Sequence, residues 1–554
     1  MSFQKFRDEV HALVGHEYSK LLEIPKGGEA DLALPCFVIA KQQGKNPAEM
    51  AKLIEVELNG RIKKFGLVKS AVAEGPYVNF FISVEKFAPI VLKEILSKKG
   101  KYGSSITGSG KTVIVEYPSV NIAKPMSIGH LRSAIIGQSL YNIHKFLGYN
   151  AISDDHVGDW GTQFGKLLYA YKTWSNPGAV AKSPIKELLA LYVRFHDEAE
   201  KNPELEEEGR KWFSKLEKGD KESLKLWKMF CSWSMKEFRK VYKALGLHHD
   251  FSLGESFYIK MTKSVIDDAL KRGIAKTEQN AVIIPMNGTP LIIQKSDEST
   301  IYATRDLATV KYRTEKFYPY KILYVVGSDQ NLYFRQIFFA ARQLGYMKEE
   351  GVHVSFGLVS LPEGKMSTRA GRVVFLEDLI NETVKEAEKV IKEKNPKLKN
   401  RKNVANAVAM AAIKYNDLSR DRIKDIIFDW KTALSFEGDT GPYLQYTAVR
   451  ANSVISKSKK KPSAKPCIRE DRENEIIKIL SKFPSVLQDS AKDCKPHYIA
   501  GYLNALAAKF NEYYHTTKII GSKEESQRLA LVLSVSTVIT TGLKLLGIEV
   551  PKKM

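Results

Sequence analysis

Cysteine is scarce in this chain, with four residues among 554, and the four lie far apart at Cys36, Cys231, Cys467 and Cys494. They form no Cys-x-x-Cys pair and no cysteine–histidine cluster, which argues against a zinc site. A disulfide framework is typical of short secreted chains and is implausible at this length. We therefore expect reduced thiols, no protein-bound metal and a cytoplasmic location.

Long apolar runs are also few. The first residues, MSFQKFRDEVHALVGHEY, carry acidic side chains and no apolar segment of the kind found in signal peptides. Leu529–Ile548 approaches the length of a membrane span, but it contains Lys544 and several serine, threonine and glycine residues. We interpret it as a buried helix of a bundle that ends at Gly547, and we expect no membrane partner.

Positive charge, in contrast, is in excess. Lysine and arginine number 86 against 63 acidic residues, which gives a net charge of +23. Such an excess attracts polyanions and, with 10% aromatic residues, is typical of a protein that binds nucleic acid. The alternative is that high lysine content only reflects genome composition. The length allows about three or four domains of ordinary size.

Three regions are indicated by the pattern along the chain. Residues 1–105 combine an amphipathic helix with the strand-like segment Tyr77–Ile82 and end at a linker, KKGKYGSS. Residues 106–425 have the pattern of an α/β core, interrupted near 170–260 by a helical, charge-rich insertion. From 426 to 554 strand signals disappear and helical patterns dominate.

The most informative segment is Val113–Gly137, VIVEYPSVNIAKPMSIGHLRSAIIG. Its pattern predicts a strand, a polar loop, and a helix opened by Gly129 and His130. Free N–H groups and the positive end of the helix dipole make such a helix start an anion-binding site. The loop lacks the glycine spacing of a P-loop or a dinucleotide fold, so it would bind phosphates differently. Ala151 and Ile152 are expected to begin the returning strand of a βαβ unit.

A second candidate phosphate contact is Lys365-Met366-Ser367. It lies on a loop marked by Pro362 and Gly364, after a predicted strand over Val352–Val359. A lysine on a glycine-bordered loop can place a positive charge on the phosphates of a nucleotide and then withdraw it.

These segments resemble class I aminoacyl-tRNA synthetases, and most closely the arginyl-tRNA synthetase family. Ser127-Ile128-Gly129-His130 stands where that class carries its HIGH signature, and Lys365-Met366-Ser367 stands in the place of KMSKS. Further matching segments follow in the family's order, from Leu32 to Met554: they are 155–165 (DHVGDWGTQFG), 296–308 (SDESTIYATRDLA), 364–374 (GKMSTRAGRVV), 438–446 (GDTGPYLQY) and 546–554 (LGIEVPKKM).

The resemblance implies an α/β fold with a Rossmann-like catalytic core and a parallel sheet. It also implies an α+β N-terminal domain and an all-α C-terminal anticodon-binding domain. The implied reaction activates arginine with ATP, taken with Mg²⁺ as a substrate, and transfers it to the 3′ end of its tRNA. AMP and pyrophosphate would be released, and we expect the enzyme to be a monomer.

The family's site residues carry over to matching positions of this sequence. Those implied for catalysis are His130, Lys365, Lys124 and Ser127. Those implied for ATP binding are Gly129, His130, Lys365, Met366 and Ser367. Those implied for arginine binding are Ser119, Asn121, His130, Tyr302, Asp306 and Gln330.

The residue types support the arginine site. A guanidinium is a planar fork that a carboxylate matches bidentately, and Asp306 is the candidate carboxylate. Tyr302 lies four residues earlier, on the same face if this segment is helical. Gln330 follows the predicted strand Ile322–Val326, at the carboxyl end where open sheets bind ligands. Without the resemblance, Asp306 would be interpreted as a surface ion-pair partner.

Two positions depart from the class pattern. Ser127 replaces the first histidine of HIGH, and Thr368 replaces the second lysine of KMSKS. Lys124, three residues before Ser127, matches the lysine that substitutes for the missing charge in such family members.

Two tRNA surfaces are implied. Tyr443 and Tyr446 are three apart on one helical face, where rings can stack on the bases of an RNA loop, and Met554 matches a family residue near the same place. In the N-terminal region, Tyr77 and Asn79 match positions that meet the tRNA D-loop.

Alternatives remain open at this point. Another class I synthetase is one, although a cysteinyl enzyme would want a zinc cluster and a glutamyl enzyme a cation at position 306. A catalytically impaired paralogue that still binds tRNA is the other, suggested by Ser127 and Thr368.

Overall fold

The computed structural model describes residues 2–25, 30–348, 350–360, 375–427, 429–465 and 470–554, without the side chains of Trp430 and Lys431. Several residues singled out above lie outside these ranges, and nothing structural is said of them: Lys365, Met366, Ser367, Thr368 and Cys467.

The N-terminal region is a three-stranded antiparallel sheet with helices packed on it, in the strand order β1-β3-β2. Along β3 buried residues alternate with half-exposed ones, as expected of a strand with one face on a core. The elements are α1 (Ser2–Val14), α2 (His16–Ser19), β1 (Leu32–Pro35), α3 (Phe37–Gln42), α4 (Pro47–Arg61), β2 (Val68–Glu74), β3 (Tyr77–Ile82) and α5 (Val84–Lys98).

The middle region is organised around a four-stranded parallel sheet in the order β10-β9-β4-β5. Helix α6 joins β4 to its parallel neighbour β5, which confirms the predicted βαβ unit. The chain then returns to the other side of β4 to form β9. The elements of this sheet and the helices between its strands are β4 (Thr112–Glu116), α6 (Ile128–Phe146), β5 (Asn150–Asp154), α13 (Tyr302–Phe317), β9 (Lys321–Tyr324), α14 (Asn331–Gln343) and β10 (Glu350–His353). The short strand β11 (Val359–Ser360) follows and belongs to a separate two-stranded sheet.

Six helices and a small antiparallel sheet lie between β5 and α13. The helices occupy the stretch in which the sequence predicts a helical insertion, and the sheet has the order β6-β7-β8. The elements are α7 (Thr162–Trp174), α8 (Pro177–Lys182), α9 (Pro184–Lys201), α10 (Glu204–Glu217), α11 (Lys221–Leu245), α12 (Glu255–Lys271), β6 (Lys276–Glu278), β7 (Ala281–Ile284) and β8 (Leu291–Gln294).

The C-terminal region is helical. Its elements, with the two helices and the short strand that lead into it, are α15 (Leu376–Lys394), α16 (Arg401–Leu418), β12 (Ile426–Ile427), α17 (Trp430–Ala433), α18 (Gly441–Lys457), α19 (Asp471–Asp493), α20 (His497–Thr516) and α21 (Glu525–Leu545). Among the described helices, α21 alone is long and apolar enough to cross a membrane, but 72% of its apolar window is buried inside the protein. It is a core helix of the bundle, and it ends before Gly547, whose φ is +71°.

The predicted single strand over Val352–Val359 is wrong. β10 ends at His353, and the next strand covers only Val359–Ser360. The parallel pairing with β9 stops at His353 and resumes as a single bridge from Phe356 to Gly327, in the same register. Gly357 then bonds away from β9: its N–H donates to the Arg422 carbonyl, and its carbonyl accepts a hydrogen bond from buried Arg132. β11 then pairs in parallel with β12, so a short strand lies just beyond the point where strand signals were expected to end.

The segment interpreted as a linker, KKGKYGSS, is firmly packed. Tyr102 within it is buried, and its hydroxyl donates to the Leu480 carbonyl at 3.0 Å. The Tyr102 ring also stacks on Phe483 of α19, with centroids 6.2 Å apart. The segment therefore ties the N-terminal region to the C-terminal bundle.

Candidate active site

The candidate site lies at the carboxyl edge of the parallel sheet. Strand β4 lies between β5 and β9, and the chain reaches these two neighbours in opposite directions across the sheet. In open α/β sheets the crevice at such a reversal of strand order is where ligands bind. The loops after β4, β5 and β9, and the start of α6, all lie at this edge.

The loop from β4 to α6 has an unusual backbone. Ser119 and Ala123 have φ values of +56° and +62°, which non-glycine residues rarely adopt. Between them, Asn121 forms a parallel bridge with Gly158, whose position leaves no room for a side chain: a Cβ there would lie 2.0 Å from Asn121 Oδ1. The Ser119 hydroxyl is buried and has no hydrogen-bond partner among the described residues. Strained backbone and an unpaired buried hydroxyl are both typical of binding sites.

His130 lies in the first turn of α6 and is held by Ser127, which precedes the helix. The Ser127 N–H donates to His130 Nδ1 at 3.1 Å, and Ser127 Oγ lies 3.0 Å from the same nitrogen. Because Nδ1 accepts a hydrogen, the neutral ring carries its own proton on Nε2. Burial lowers the pKa of His130, and the charge of Lys124 acts in the same direction. His130 is therefore a neutral N–H donor at the positive end of a helix.

Lys124 is placed over an aromatic ring. Its Nζ lies 4.8 Å from the centroid of Tyr192, which belongs to α9 of the helical insertion. The ring face attracts the ammonium group and limits where the lysine can point. Lys124 is close enough to His130 for its charge to influence the ring.

Asp306 lies on α13 among three aromatic or basic side chains. The Tyr333 hydroxyl donates a short hydrogen bond to Asp306 Oδ2, and His156 Nε2 lies 3.7 Å from Asp306 Oδ1. Tyr302, one helical turn before Asp306, has its ring centroid 4.9 Å from that of Tyr333. The sequence prediction that Tyr302 and Asp306 share a helix is confirmed.

His156 carries a positive charge beside this carboxylate. Burial alone would lower the pKa of His156, but Asp306 and Glu116 raise it to about 9. At neutral pH the imidazolium therefore occupies one side of Asp306.

Helix α13 is anchored to the sheet by a buried arginine two helical turns after Asp306. Arg313 Nη1 lies 2.6 Å from Glu116, the last residue of β4, and Arg313 Nη2 lies 2.8 Å from Asp154, the last residue of β5. The Arg313 side chain is fully buried over the ring of Tyr324 on β9. One side chain therefore fixes the helix that carries Asp306 to three adjacent strands.

Gln330 lies in a short 3₁₀ turn, Ser328–Gln330, that follows β9. Its side chain donates to Asp329 at 3.0 Å and is half-buried. The next helix, α14, begins at Asn331 and carries Tyr333 back towards Asp306. Gln330 and Asp306 are thus linked through three residues of chain and one hydrogen bond.

Asp159, in the matching segment 155–165, has a structural role. Its carboxylate accepts hydrogen bonds from the backbone N–H and the hydroxyl of Ser256, at 2.8 and 2.6 Å, in the first turn of α12. A carboxylate in that position stabilises the start of a helix.

A buried arginine on α6, which the sequence analysis missed, connects the site to the C-terminal region. Arg132 forms a bidentate pair with Asp417 of α16, at 3.0 and 3.2 Å. Its Nη1 also donates to the carbonyls of Gly357 and Lys424, each at 2.8 Å. The burial of Arg132 depends on segments far apart in the chain, so no local pattern indicated it.

The sequence analysis also missed Tyr333, although its position three residues after the predicted site residue Gln330 was a usable signal.

The predicted aromatic pair on α18 lines a cavity of about 550 Å³ in the C-terminal region. Tyr443 and Tyr446 share this cavity with Met554, so all three predicted residues are brought together. Arg450 lies 4.7 Å from the ring centroid of Tyr446 and donates to Asn511 at 2.7 Å. Asn511 in turn donates to the Tyr443 hydroxyl at 3.0 Å. An exposed ring such as Tyr446, with a cation beside it, is suited to stacking on an unpaired base, and Tyr443 beside it is half-buried.

Tyr77 and Asn79 project from the same face of β3, each half-buried. The Tyr77 ring packs edge-on against Phe37, which is 49% exposed. The Asn79 amide donates to Glu74 at 2.9 Å. Together they form a small aromatic and polar surface on the N-terminal sheet.

The side chains that could bind a metal ion are scattered in the described structure. Over the part of the chain that the structure describes, no group of three His, Cys, Asp or Glu side chains is placed to hold a metal ion. The three described cysteines, Cys36, Cys231 and Cys494, are all free thiols.

Three family models match this sequence. The family model described as tRNA synthetases class I (R), catalytic domain, matches residues 91–430. The model of an arginyl tRNA synthetase N-terminal domain matches residues 4–82, and that of a DALR anticodon-binding domain matches 444–554. The parallel sheet and the site at its edge therefore define a class I tRNA synthetase.

Individual relatives narrow the assignment. The arginine–tRNA ligase of Halothermothrix orenii is 45% identical over 556 residues, which cover 99% of this chain and 98% of that protein. The arginine–tRNA ligase of Clostridioides difficile is 41% identical over 558 residues, with the same coverage of each chain. This chain belongs to the arginine–tRNA ligase family, and the resemblance predicted from the sequence is confirmed.

Solved structures agree on the fold. Thermus thermophilus arginyl-tRNA synthetase aligns with a TM-score of 0.81 at 23% identity, over 99% of this chain and 100% of that one. The Plasmodium falciparum arginyl-tRNA synthetase aligns with a TM-score of 0.83 at 23% identity, over 99% of each chain. The predicted fold class, a Rossmann-like core between an α+β domain and a helical domain, is confirmed.

Proposed function

We propose that this chain activates arginine with ATP and transfers it to the 3′ end of its tRNA, releasing AMP and pyrophosphate. The observation that carries the proposal is the Asp306 carboxylate, held by Tyr333 and by the Arg313-anchored helix at the edge of the parallel sheet. A partly buried carboxylate among aromatic rings is suited to a guanidinium, which it binds through two parallel hydrogen bonds.

The arginine site extends from Asp306 towards the loop after β4. In this proposal Tyr302 and Gln330 flank the guanidinium, while Ser119 and Asn121 receive the α-amino and carboxylate groups. The Ser119 hydroxyl, buried without a partner among the described residues, and the Asn121 amide beside Gly158 are the hydrogen-bonding groups that support this assignment.

ATP is assigned to the start of α6. Attack of the arginine carboxylate on the α-phosphorus forms the adenylate and displaces pyrophosphate, so catalysis depends on stabilising charge on phosphate oxygens. Gly129 permits close approach of the backbone, neutral His130 donates from Nε2, and Lys124 supplies positive charge. Ser127 positions His130 through the contacts with Nδ1. Lys365, Met366 and Ser367 are assigned to ATP from the sequence alone, and Mg²⁺ enters with the nucleotide.

The tRNA is assigned two surfaces. The anticodon would bind at the cavity of Tyr443, Tyr446 and Met554, and the D-loop at Tyr77 and Asn79. We further propose that the domains span 1–105, 106–425 with the insertion near 170–260, and 426–554, and that the enzyme acts as a cytoplasmic monomer.

Amino-acid-dependent exchange of labelled pyrophosphate into ATP tests this function. Members of the resembled family need tRNA before they activate arginine, so we expect exchange with arginine only after the cognate tRNA is added. Exchange supported by cysteine or glutamate would assign another class I enzyme. Binding of tRNA without exchange under any condition would assign an impaired paralogue.

Removing the charge at position 124 is expected to slow activation more than it weakens substrate binding. A charge needed in the transition state affects kcat more than KM, and one charge-assisted hydrogen bond contributes about 2 kcal/mol. Single-turnover adenylate formation by Lys124→Ala measures this effect. Lys124→Arg keeps the charge over the Tyr192 ring and is expected to recover part of the rate. A rate near wild type for Lys124→Ala would exclude this role.

Arginine binding is expected to release protons. Free His156 is charged at neutral pH because Asp306 and Glu116 raise its pKa to about 9. A bound guanidinium pairs with Asp306 and places a second positive charge near His156. The pKa of His156 should therefore fall, and His156 should release its proton. Calorimetric titration in buffers of different ionisation enthalpy should then show net proton release between pH 7 and 9. An enthalpy independent of the buffer would contradict this linkage.

A further inference from the structure

A cavity of about 1030 Å³ lies outside the catalytic site and is strongly basic. It lies where the end of α11, the loop between α15 and α16, helix α16 and the C-terminal tail meet. Among the described residues that line it, six are lysines and one, Glu549, is acidic. The lysines are Lys243, Lys397, Lys399, Lys414, Lys552 and Lys553.

This lysine cavity adjoins the cavity of Tyr443 and Tyr446. Asn395 lines both of them, and its side chain donates to the carbonyl of Met554 at 3.2 Å. The C-terminal tail therefore separates the two: Lys552 and Lys553 face the lysine cavity, and Met554 faces the tyrosine cavity. If the bases of an RNA strand occupy the tyrosine cavity, the phosphates of that strand can reach the lysine cavity.

The wall between the cavities is fixed by buried groups. Lys414 is 5% exposed, and one of its three N–H donors bonds to the Gly547 carbonyl at the start of the tail. Gln445 donates to the Glu549 carbonyl at 2.6 Å. Burial lowers the pKa of Lys414 to about 8, and an anion placed beside it would favour the charged form. The C-terminal tail is thus held in place by hydrogen bonds from Lys414 and Gln445.

We propose that the lysine cavity binds consecutive phosphates of the tRNA strand whose bases lie in the tyrosine cavity. The inference rests on the proposed function, because it takes tRNA as the occupant of the tyrosine cavity. Phosphates are the anions that a cluster of lysines with few carboxylates attracts most strongly. Such contacts position the strand and carry no sequence information, whereas the tyrosine rings contact the bases.

Salt dependence of tRNA binding by the full-length protein provides the test. Lys397→Ala with Lys399→Ala removes two exposed lysines of the cavity from a loop. Lys263→Ala with Lys271→Ala removes the same charge from the exposed face of α12 in the catalytic region and serves as the matched control. Each phosphate contact contributes about 0.7–0.9 to the slope of log K against log salt concentration. We expect the cavity pair to make that slope shallower by about 1–2 and the control pair to leave it near the wild-type value.

Three outcomes decide the proposal. Equal slopes for the cavity pair and the control pair would overturn it. Binding of tripolyphosphate that depends on Lys397 and Lys399, with an unchanged tRNA slope, would also overturn it and would assign the cavity to a free polyphosphate. A shallower slope in a protein that charges no tRNA with arginine would support the cavity while removing the proposed function.

Discussion

Asp306→Asn is expected to lower kcat/KM for arginine by about two to three orders of magnitude. The substitution keeps the size of the side chain but removes the charge that faces the guanidinium. Leaving one partner of a desolvated charge pair without the other costs about 2–5 kcal/mol. The KM for ATP should hardly change, because the nucleotide is assigned to the start of α6. Steady-state exchange kinetics with tRNA present measure both constants.

Two further variants make this result specific. Tyr333→Phe removes the hydroxyl that donates to Asp306 but keeps the charge, so a smaller loss of about tenfold is expected. Asp297→Asn neutralises an exposed carboxylate in the turn before α13, and wild-type kinetics are expected. An arginine KM unchanged in Asp306→Asn would remove Asp306 from the substrate site.

Arg313→Met is expected to destabilise the catalytic region by about 3–5 kcal/mol, because removing one partner of a buried ion pair leaves the other charges uncompensated. Here the orphaned carboxylates would be Glu116 and Asp154, at the ends of two adjacent strands. Helix α13 would also lose its anchor, so arginine binding should weaken together with stability. Thermal unfolding followed by near-ultraviolet circular dichroism, alongside arginine titration, measures both effects.

The matched control is Arg61→Met. Arg61 pairs with Glu57 across one turn of α4 at 3.3 Å, with the two side chains 46% and 67% exposed. Exposed pairs of this kind contribute about 0.2–1 kcal/mol. Comparable loss of stability in both variants would show that the Arg313 cluster is no more than a surface ion pair.

The features that could be predicted from the sequence are those determined by residues close together in the chain. β4 follows from the β-branched run Val113–Val115, and the start of α6 from the polar loop before Gly129. The strand-like segment Tyr77–Ile82 forms β3. Tyr302 and Asp306 share a helical face because four residues make about one turn.

The features that it did not predict depend on distant segments. Tyr333 reaches Asp306 because α14, which follows β9 in the chain, packs beside α13. Arg132 and Arg313 give no local sign of burial, since their carboxylate partners come from other elements. The strand expected over Val352–Val359 does not continue past Phe356, because the Gly357 backbone bonds to Arg132 and Arg422, which come from distant elements. The lysine cavity likewise combines residues from three separated stretches of the chain.

The central claim is tested most directly by charging of tRNA with labelled arginine. Purified protein, ATP with Mg²⁺ and total tRNA are incubated with each amino acid in turn, and acid-precipitable label is followed over time. The account predicts saturable charging with arginine alone, on tRNAs that carry arginine anticodons. Charging with a different amino acid, or no charging with arginine by a folded protein that binds tRNA, would contradict it.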